Sequence, residues 1–145
     1  MLSRYQLMNE ELNNNHDAID CRWTPTAVVV TFKDKRIYDV RAVEAVEVQI
    51  RSVLVKDPPN MVVNFADVDF MVTRVINILL VALKRIRSRG GEVYLAGMNP
   101  NIRRVFNLMR LTEVFKIFQT EEQALADLES QQQQPPRMNP ANHSV

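Results

Sequence analysis

Two carboxylates, Asp67 and Asp69, are the residues of this sequence whose type and spacing could do chemistry. Two positions apart on extended backbone they would share one side of the chain, as an acid/base pair or two metal ligands would. Such a site needs a third carboxylate or a histidine, and both histidines, His16 and His143, lie in polar end segments. We therefore expect solvated loop acids, with no catalytic residue, no metal site and no cofactor.

The single cysteine, Cys21, excludes a disulfide within the chain and fits a reducing cytoplasmic compartment. Because neither histidine lies in the apolar part of the sequence, a His/Cys metal cluster or a histidine-based nucleophile relay has no residues to form it. The sequence thus predicts a protein that is not an enzyme.

Basic residues gather in two groups near the ends of predicted helices. Their members are Lys84, Arg85, Arg87 and Arg89 in one group, and Arg103, Arg104 and Arg110 in the other. Cations at the end of a helix complement its dipole, which accounts for the first group without a ligand. The net charge is only +1, from 18 basic and 17 acidic side chains, and no aromatic residue interrupts the first group. Both observations argue against a nucleic-acid partner.

The length of 145 residues and the hydrophobic fraction of 46% favour a single globular domain. No run of about 18 apolar residues is present to cross a membrane, and the first residues lack the apolar core of a signal peptide. We expect a polar, flexible leader over residues 1–17, a domain over 18–129 and a disordered Gln/Pro-rich tail over 130–145.

The domain is organised around residues 61–89. Residues 61–65 read MVVNF, a short apolar run whose β-branched valines predict a buried strand. From Thr73 the apolar residues recur at steps of three and four, which predicts a core-facing helix that ends at Gly90. The loop between them, residues 67–73, is where α/β folds of this kind place a functional surface.

Shorter patterns place the other elements around this unit. Strands are predicted over 18–23, 27–32, 91–97 and 116–118. Helices are predicted after the N-caps Asp39 and Asn99 and after the capping box Thr120–Gln123. The order strand, strand, helix, strand, helix, strand, helix, strand, helix predicts an α/β fold with a mixed sheet covered by helices.

Several apolar residues fall near the predicted strand-to-helix loops. They are Tyr38, Phe70, Met71 and Met98. We expect most of them to pack in or beside the core, and any that cluster outside would form a docking patch.

Several segments, taken in order, resemble the STAS domain family, the fold of bacterial anti-sigma-factor antagonists and of the cytoplasmic end of sulfate transporters. Residues 62–70 read VVNFADVDF, which is similar to a strand and loop of the family. The other segments are RGGEVYLAG at 89–97, NPNIRRVF at 99–106, LTEVFKIF at 111–118 and EQAL at 122–125. Their order and spacing match the family over most of residues 27–128, which implies a STAS-like fold.

The switch motif of that family, Asp-Ser-Ser-Gly-Leu-Gly, corresponds to residues 72–77, which read VTRVIN. By this resemblance Thr73 stands at the phosphoacceptor serine and Val72 at the preceding aspartate. A phosphate on Thr73 would sit at a helix N-terminus, where backbone N–H groups and the dipole favour an anion, and Arg74 would add a cation. The simpler interpretation of Thr73 is a helix N-cap.

The resemblance implies a non-enzymatic protein-interaction module of bacterial partner switching, bound to a serine/threonine kinase-like anti-sigma factor and regulated at Thr73. Its predicted partner surface comprises Arg36, Tyr38, Asp39, Thr73, Arg74, Asn77, Met98 and Asn101. The alternative is a constitutive STAS scaffold subunit of a larger regulatory or transporter complex, since Val72, Val75 and Asn77 replace the aspartate and glycines of the motif. Neither interpretation involves nucleic acid or insertion into a membrane.

Overall fold

The computed structural model describes residues 18–133. Its strands are β1 Ile19–Trp23, β2 Val28–Phe32, β3 Arg36–Ile37, β4 Met61–Asn64, β5 Phe70–Met71, β6 Val93–Ala96 and β7 Lys116–Phe118. Its helices are α1 Val40–Val55, α2 Thr73–Ser88, α3 Pro100–Leu108 and α4 Glu121–Gln133, with a 3-10 turn over Leu111–Glu113. The predicted leader, residues 1–17, and residues 134–145 of the predicted tail lie outside the described range.

Five strands form the main sheet, in the order β1-β2-β4-β6-β7. Strand β1 runs antiparallel to β2, while β2, β4, β6 and β7 are parallel neighbours. This arrangement confirms the predicted α/β fold with a mixed sheet. Because the four parallel strands point the same way, their carboxyl ends meet at one edge, and the loops that lead into the helices all start there.

Helices cover both faces of the sheet. On one face, α1, α2 and α3 enclose a core that includes the buried rings of Phe32, Phe65, Phe106 and Phe115. Successive rings in this row have centroids 5.2, 6.0 and 6.1 Å apart, in tilted or edge-to-face geometry. Each such pair contributes about 0.5–1.5 kcal/mol beyond its buried area. On the other face α4 packs Leu128 against the middle strands.

Side chains fix the starts of three helices as the sequence predicts. The Asp39 carboxylate accepts the Ala42 N–H at 2.8 Å at the start of α1, and the Asn99 amide oxygen accepts the Ile102 N–H at 2.8 Å at the start of α3. The predicted capping box before α4 exchanges bonds of 3.2 and 3.3 Å. Each cap stabilises its helix by about 1 kcal/mol.

Two residues lock the amino-terminal edge of the sheet. The Asn60 side chain donates to the carbonyl oxygen of Thr26 and accepts from the N–H of Glu92, both at 2.9 Å. Gly91 passes so close to the preceding loop that a Cβ atom would lie 1.9 Å from the carbonyl oxygen of Pro59. These contacts fix the amino-terminal ends of the strands. The loops that lead into the helices lie at the opposite, carboxyl edge.

Two features differ from the sequence-based expectation. Strand β3 is not among the predicted strands, and β5 lies in the predicted loop 67–73. The two pair in parallel as a separate ribbon that matches Arg36 with Phe70 and Ile37 with Met71. Two-residue strands are too short to show an alternating pattern. Helix α4 continues to Gln133, beyond the expected domain end at residue 129. Gln131 supports this last turn by donating to the Asp127 carboxylate at 2.9 Å.

Candidate functional site

Three loops meet at the carboxyl edge of the sheet, and hydrogen bonds join them. The Val72 N–H donates to the carbonyl oxygen of Ile37 at 3.0 Å. The Asn99 side chain donates to the carbonyl oxygen of Val68, also at 3.0 Å. The ribbon of β3 and β5 is thereby a fixed part of this edge, and it holds the residues before α1 beside the start of α2.

An exposed aromatic patch, made of Arg36, Tyr38, Val40 and Phe70, lies on and next to this ribbon. The guanidinium carbon of Arg36 is 5.4 Å from the ring centroid of Phe70 and 6.0 Å from that of Tyr38. Tyr38 is 58% exposed, Phe70 43% and Val40 70%. A cation over exposed rings contributes only about 0.5–1 kcal/mol. Clustered exposed apolar residues of this kind are candidates for an interaction surface.

Thr73 is the first residue of α2 and is exposed. The N-cap position belongs to Val72, whose side chain makes no capping bond. The prediction that Thr73 caps the helix is therefore wrong, because the Val72–Ile37 bond keeps the chain extended through residue 72. Within residues 18–133, no group accepts a hydrogen bond from the Thr73 hydroxyl or from the backbone N–H groups of Thr73 and Arg74. An anion on that hydroxyl would find both N–H donors at the positive end of the helix dipole.

Arg74 and Asn77 lie on the side of α2 that faces α1. The Arg74 guanidinium is 3.6 Å from the Glu47 carboxylate, and both α2 residues line a groove between the two helices. Val75 and Ile76, by contrast, are buried in the core. Val75, at the first glycine position of the motif, therefore packs in the core and adds no side chain to the surface.

The remaining predicted surface residues differ in their roles. Met98 is partly buried and packs against the core, whereas Asn101 is exposed in the first turn of α3. Asp39 acts as the N-cap of α1. Phe70 is absent from the predicted partner surface, because its place beside Arg36 depends on the pairing of β3 with β5. Val40, the first residue of α1, is also absent from it.

The residues whose types could do chemistry do not form a cluster within residues 18–133. Asp67 and Asp69 are exposed, and no group of three or more His, Cys, Asp or Glu side chains within residues 18–133 could hold a metal ion. Burial, with a smaller contribution from the charge of Asp20, raises the pKa of the Cys21 thiol to about 12. The thiol is therefore protonated and inert at neutral pH. None of the described helices is long and apolar enough to cross a membrane.

The first basic group is engaged in ion pairs. Arg85 and Arg89 approach the Asp57 carboxylate at 3.4 and 3.1 Å, and Arg87 contacts Glu92 at 2.9 Å. Exposed pairs of this kind contribute about 0–1 kcal/mol each. They nevertheless account for these three guanidinium groups without a ligand.

Comparison with known proteins places this geometry in a family. The family model for the STAS domain matches residues 19–124. An anti-sigma factor antagonist from Mycobacterium paratuberculosis superposes with a TM-score of 0.69 at 22% identity, covering 77% of this chain and 93% of that one. The Bacillus cell fate determinant SpoIIAA in its phosphorylated form gives 0.61 at 21% identity, covering 77% and 99%. A sulfate transporter family protein from Wolinella succinogenes gives 0.58 at 15% identity, covering 70% and 83%.

At these identities the structural likenesses establish a shared fold and nothing finer. The match to the family model is stronger evidence for family membership, because it spans most of the 145 residues and runs from β1 into α4. The strand order, the helix layers and the matched segments all agree with it. The chain therefore belongs to the STAS domain family.

Proposed function

We propose that this chain is a non-enzymatic cytoplasmic interaction module that resembles anti-sigma-factor antagonists. In this proposal it binds a serine/threonine kinase-like anti-sigma factor in bacterial partner switching, and phosphorylation of Thr73 regulates the binding. The observation that carries the proposal is the exposed Thr73 hydroxyl next to the exposed aromatic patch at the carboxyl edge of a STAS fold. The anti-sigma-factor antagonists among the structural relatives favour this class of partner.

The aromatic patch supplies the docking energy in this proposal. Fully burying a large apolar side chain contributes about 1.5–3 kcal/mol, and Tyr38 and Phe70 are both more than 40% exposed. The Arg36 guanidinium lies over both rings. Arg36 also presents N–H donors to a carboxylate. The partner should therefore offer an apolar pocket with an acidic residue at its rim.

Phosphorylation would act on this surface through charge. The kinase transfers the γ-phosphoryl group of ATP to the Thr73 hydroxyl oxygen, with release of ADP, and a base on the kinase takes the hydroxyl proton. The product carries a charge of about −1.5 to −2. Its oxygens can accept the two N–H groups at the start of α2. The new anion then repels the acidic residue of the docked partner, which is released.

Isothermal titration with purified kinase-like anti-sigma factors tests the docking surface. The double variant Tyr38→Ala/Phe70→Ala should weaken binding about 100-fold, since each lost aromatic anchor accounts for about tenfold. Leu108→Ala is the matched control, because it removes another exposed apolar side chain, 79% exposed, at the end of α3. An equal effect of the control, or no effect of the double variant, would contradict the proposal.

Incubation with each candidate kinase and Mg-ATP, followed by phosphosite mapping with mass spectrometry, tests the switch. One phosphate should appear on Thr73, and the modified protein should bind its partner at least about tenfold more weakly. Thr73→Ala should take no phosphate, whereas Thr112→Ala, at another exposed threonine, should behave as the unaltered chain does. Phosphate only at other residues, or none, would overturn the switch.

A constitutive scaffold subunit is the second candidate. It is favoured by Val72, which stands where the family motif has aspartate, and by Arg74, which is already engaged with Glu47. A subunit that never switches binds its partner equally well with or without a hydroxyl at position 73. Thr73→Ala separates the two candidates: the scaffold predicts unchanged binding and activity, and the switch predicts lost regulation.

A further inference from the structure

A groove of about 340 Å³ lies between α1 and α2. Each helix lines it with four residues at positions i, i+3, i+4 and i+7, which fall on one stripe of a helix. They are Glu47, Ile50, Arg51 and Leu54 from α1, and Arg74, Asn77, Ile78 and Val81 from α2. Seven residues of helix rise about 10 Å, so the groove can hold a short linear molecule.

The two ends of the groove differ in polarity. At one end Glu47 faces Arg74 at 3.6 Å. At the other end the stripes finish with Leu54 and Val81, and isoleucines form the floor between the ends. Val81 is 65% exposed, so the apolar end is open to solvent. The groove therefore has a charged head region and an apolar tail region.

The charged end carries two cations for one anion. The Glu47 carboxylate is 3.6 Å from Arg74 and 3.8 Å from Arg51. Both distances exceed the about 2.7–2.9 Å of a strong charged hydrogen bond. The two arginine side chains are also 60% and 68% exposed. Surplus positive charge and loosely engaged N–H donors at this end suit a second carboxylate.

We infer that this groove binds a linear amphiphile with an anionic head, namely an alkyl monocarboxylate. Its carboxylate pairs with Arg51 and Arg74, and its chain lies along Ile50 and Ile78 toward Val81. Small-molecule sites commonly have this composition, mostly apolar with a few polar groups that fix orientation, and volumes of about 300–1,000 Å³. The site is distinct from the aromatic patch, and the inference does not depend on the proposed partner.

A second copy of this chain fits the groove less well. In a two-fold pair with antiparallel helices, the charged end of one copy would face the apolar end of the other. With parallel helices, the surplus arginines of the two copies would face each other. Both arrangements desolvate charge without an opposite partner, which is costly. An amphiphile avoids this cost, because its head and tail differ as the two ends of the groove do.

Titration of the full chain with decanoate, below its micelle-forming concentration and followed by amide chemical shifts, tests the head of the site. Saturable shifts should appear in α1 and α2 around the groove. Arg51→Gln and Arg74→Gln should each weaken binding about tenfold, and Arg104→Gln on α3 should leave it unchanged. Glu47→Gln should tighten binding about tenfold, because it releases both arginines. A general folding defect would not produce that gain.

The tail of the site is tested separately. Val81→Asp places a carboxylate at the apolar end and should weaken decanoate binding at least about tenfold, whereas Val48→Asp, exposed on α1 outside the groove, should not. Butyrate and decyltrimethylammonium, which lack the long chain and the anionic head respectively, should also bind at least about tenfold more weakly. Absence of saturation, shifts confined to other regions, weaker binding by Glu47→Gln, or equal binding of the cationic amphiphile would overturn the inference.

Discussion

Replacing Asn64 by aspartate probes how the carboxyl end of β4 is held. The Asn64 side-chain oxygen accepts the Ala66 N–H at 2.8 Å, and its nitrogen donates to the Glu121 carboxylate at 3.0 Å. Arg22 contacts the same carboxylate at 2.6 Å. Asn64→Asp keeps the shape and the acceptor but turns the donor into a second carboxylate oxygen. Two negative charges would then meet where the loop toward α2 begins.

Two effects determine how much Asn64→Asp should lower the free energy of unfolding. A hydrogen bond to a charged group contributes about 1.5–3 kcal/mol, and the variant loses it. Two unit charges at the present 3.0 Å separation would repel by about 5 kcal/mol at an effective dielectric constant of 20. Rotation of the carboxylates and the nearby Arg22 relieve most of that repulsion. We expect a net loss of about 2–4 kcal/mol in the free energy of unfolding at pH 7.

Urea unfolding at pH 7 and pH 4 checks both the size and the cause of this loss. The repulsion requires a negative charge on both carboxylates, and adding a proton to either one removes it. Lowering the pH protonates one of the pair and restores a donor between the oxygens, so the deficit should shrink as pH falls. Asn101→Asp, in the first turn of α3, is the control and should cost nothing, because an acid there favours the helix dipole. A deficit equal at both pH values, or no larger than that of the control, would contradict charge repulsion at Asn64 as the cause.

Three further substitutions or treatments test other parts of the fold. Gly91→Ala should lower the free energy of unfolding by at least about 3 kcal/mol in a denaturation series, because the new Cβ would lie 1.9 Å from a carbonyl oxygen. Gly90→Ala is the control: its Cβ meets open space, so it should lower the free energy of unfolding by less. Iodoacetamide at pH 7.5 should label Cys21 rapidly only in denaturant, because burial raises the pKa of the thiol to about 12 in the native chain. Fast labelling of the native chain would contradict the burial of this residue in β1. Burial, followed by its hydrogen bond to a carboxylate, raises the pKa of Tyr94 from 10.0 to about 12. The native state thus keeps that proton longer than the unfolded chain, so stability should be intact below pH 10 and fall between pH 10 and 12, and Tyr94→Phe should remove this slope.

The scaffold could be predicted from the sequence because its causes are local. A cap depends on one side chain and an N–H group three residues away, and Asp39 and Asn99 both satisfy that condition. The apolar stripe of α1 depends only on helical period, and its members are buried. These members are Val43, Val46, Ile50 and Val53. The segments that resemble the STAS family are also local, since each covers at most nine consecutive residues.

The residue that precedes α2 as its N-cap could not be predicted from local sequence patterns. Thr73 has a residue type suited to an N-cap, but Val72 occupies that position because its N–H bonds to Ile37 in β3. The two residues are far apart in the sequence, and no periodicity links them. The same ribbon brings Phe70 under Arg36 and leaves both at the surface. Local patterns could therefore name Arg36, Tyr38 and Phe70 as candidates, but they could not show that Phe70 lies beside Arg36.

The substitutions in the switch motif bear on what the surface binds more than on whether the chain folds. Val75 stands in the core with 0% exposure, so a glycine position of the motif has become a packing position that stabilises α2. Asn77 and Arg74 line the groove with Glu47, and none of the three contributes to the apolar stripe. Changes at these positions alter the charge and shape offered to a ligand while the hydrophobic period of both helices stays intact. The polar and charged residues at the rim of the groove can therefore change while the fold is kept, whereas Ile50 and Ile78 on its floor belong to the core.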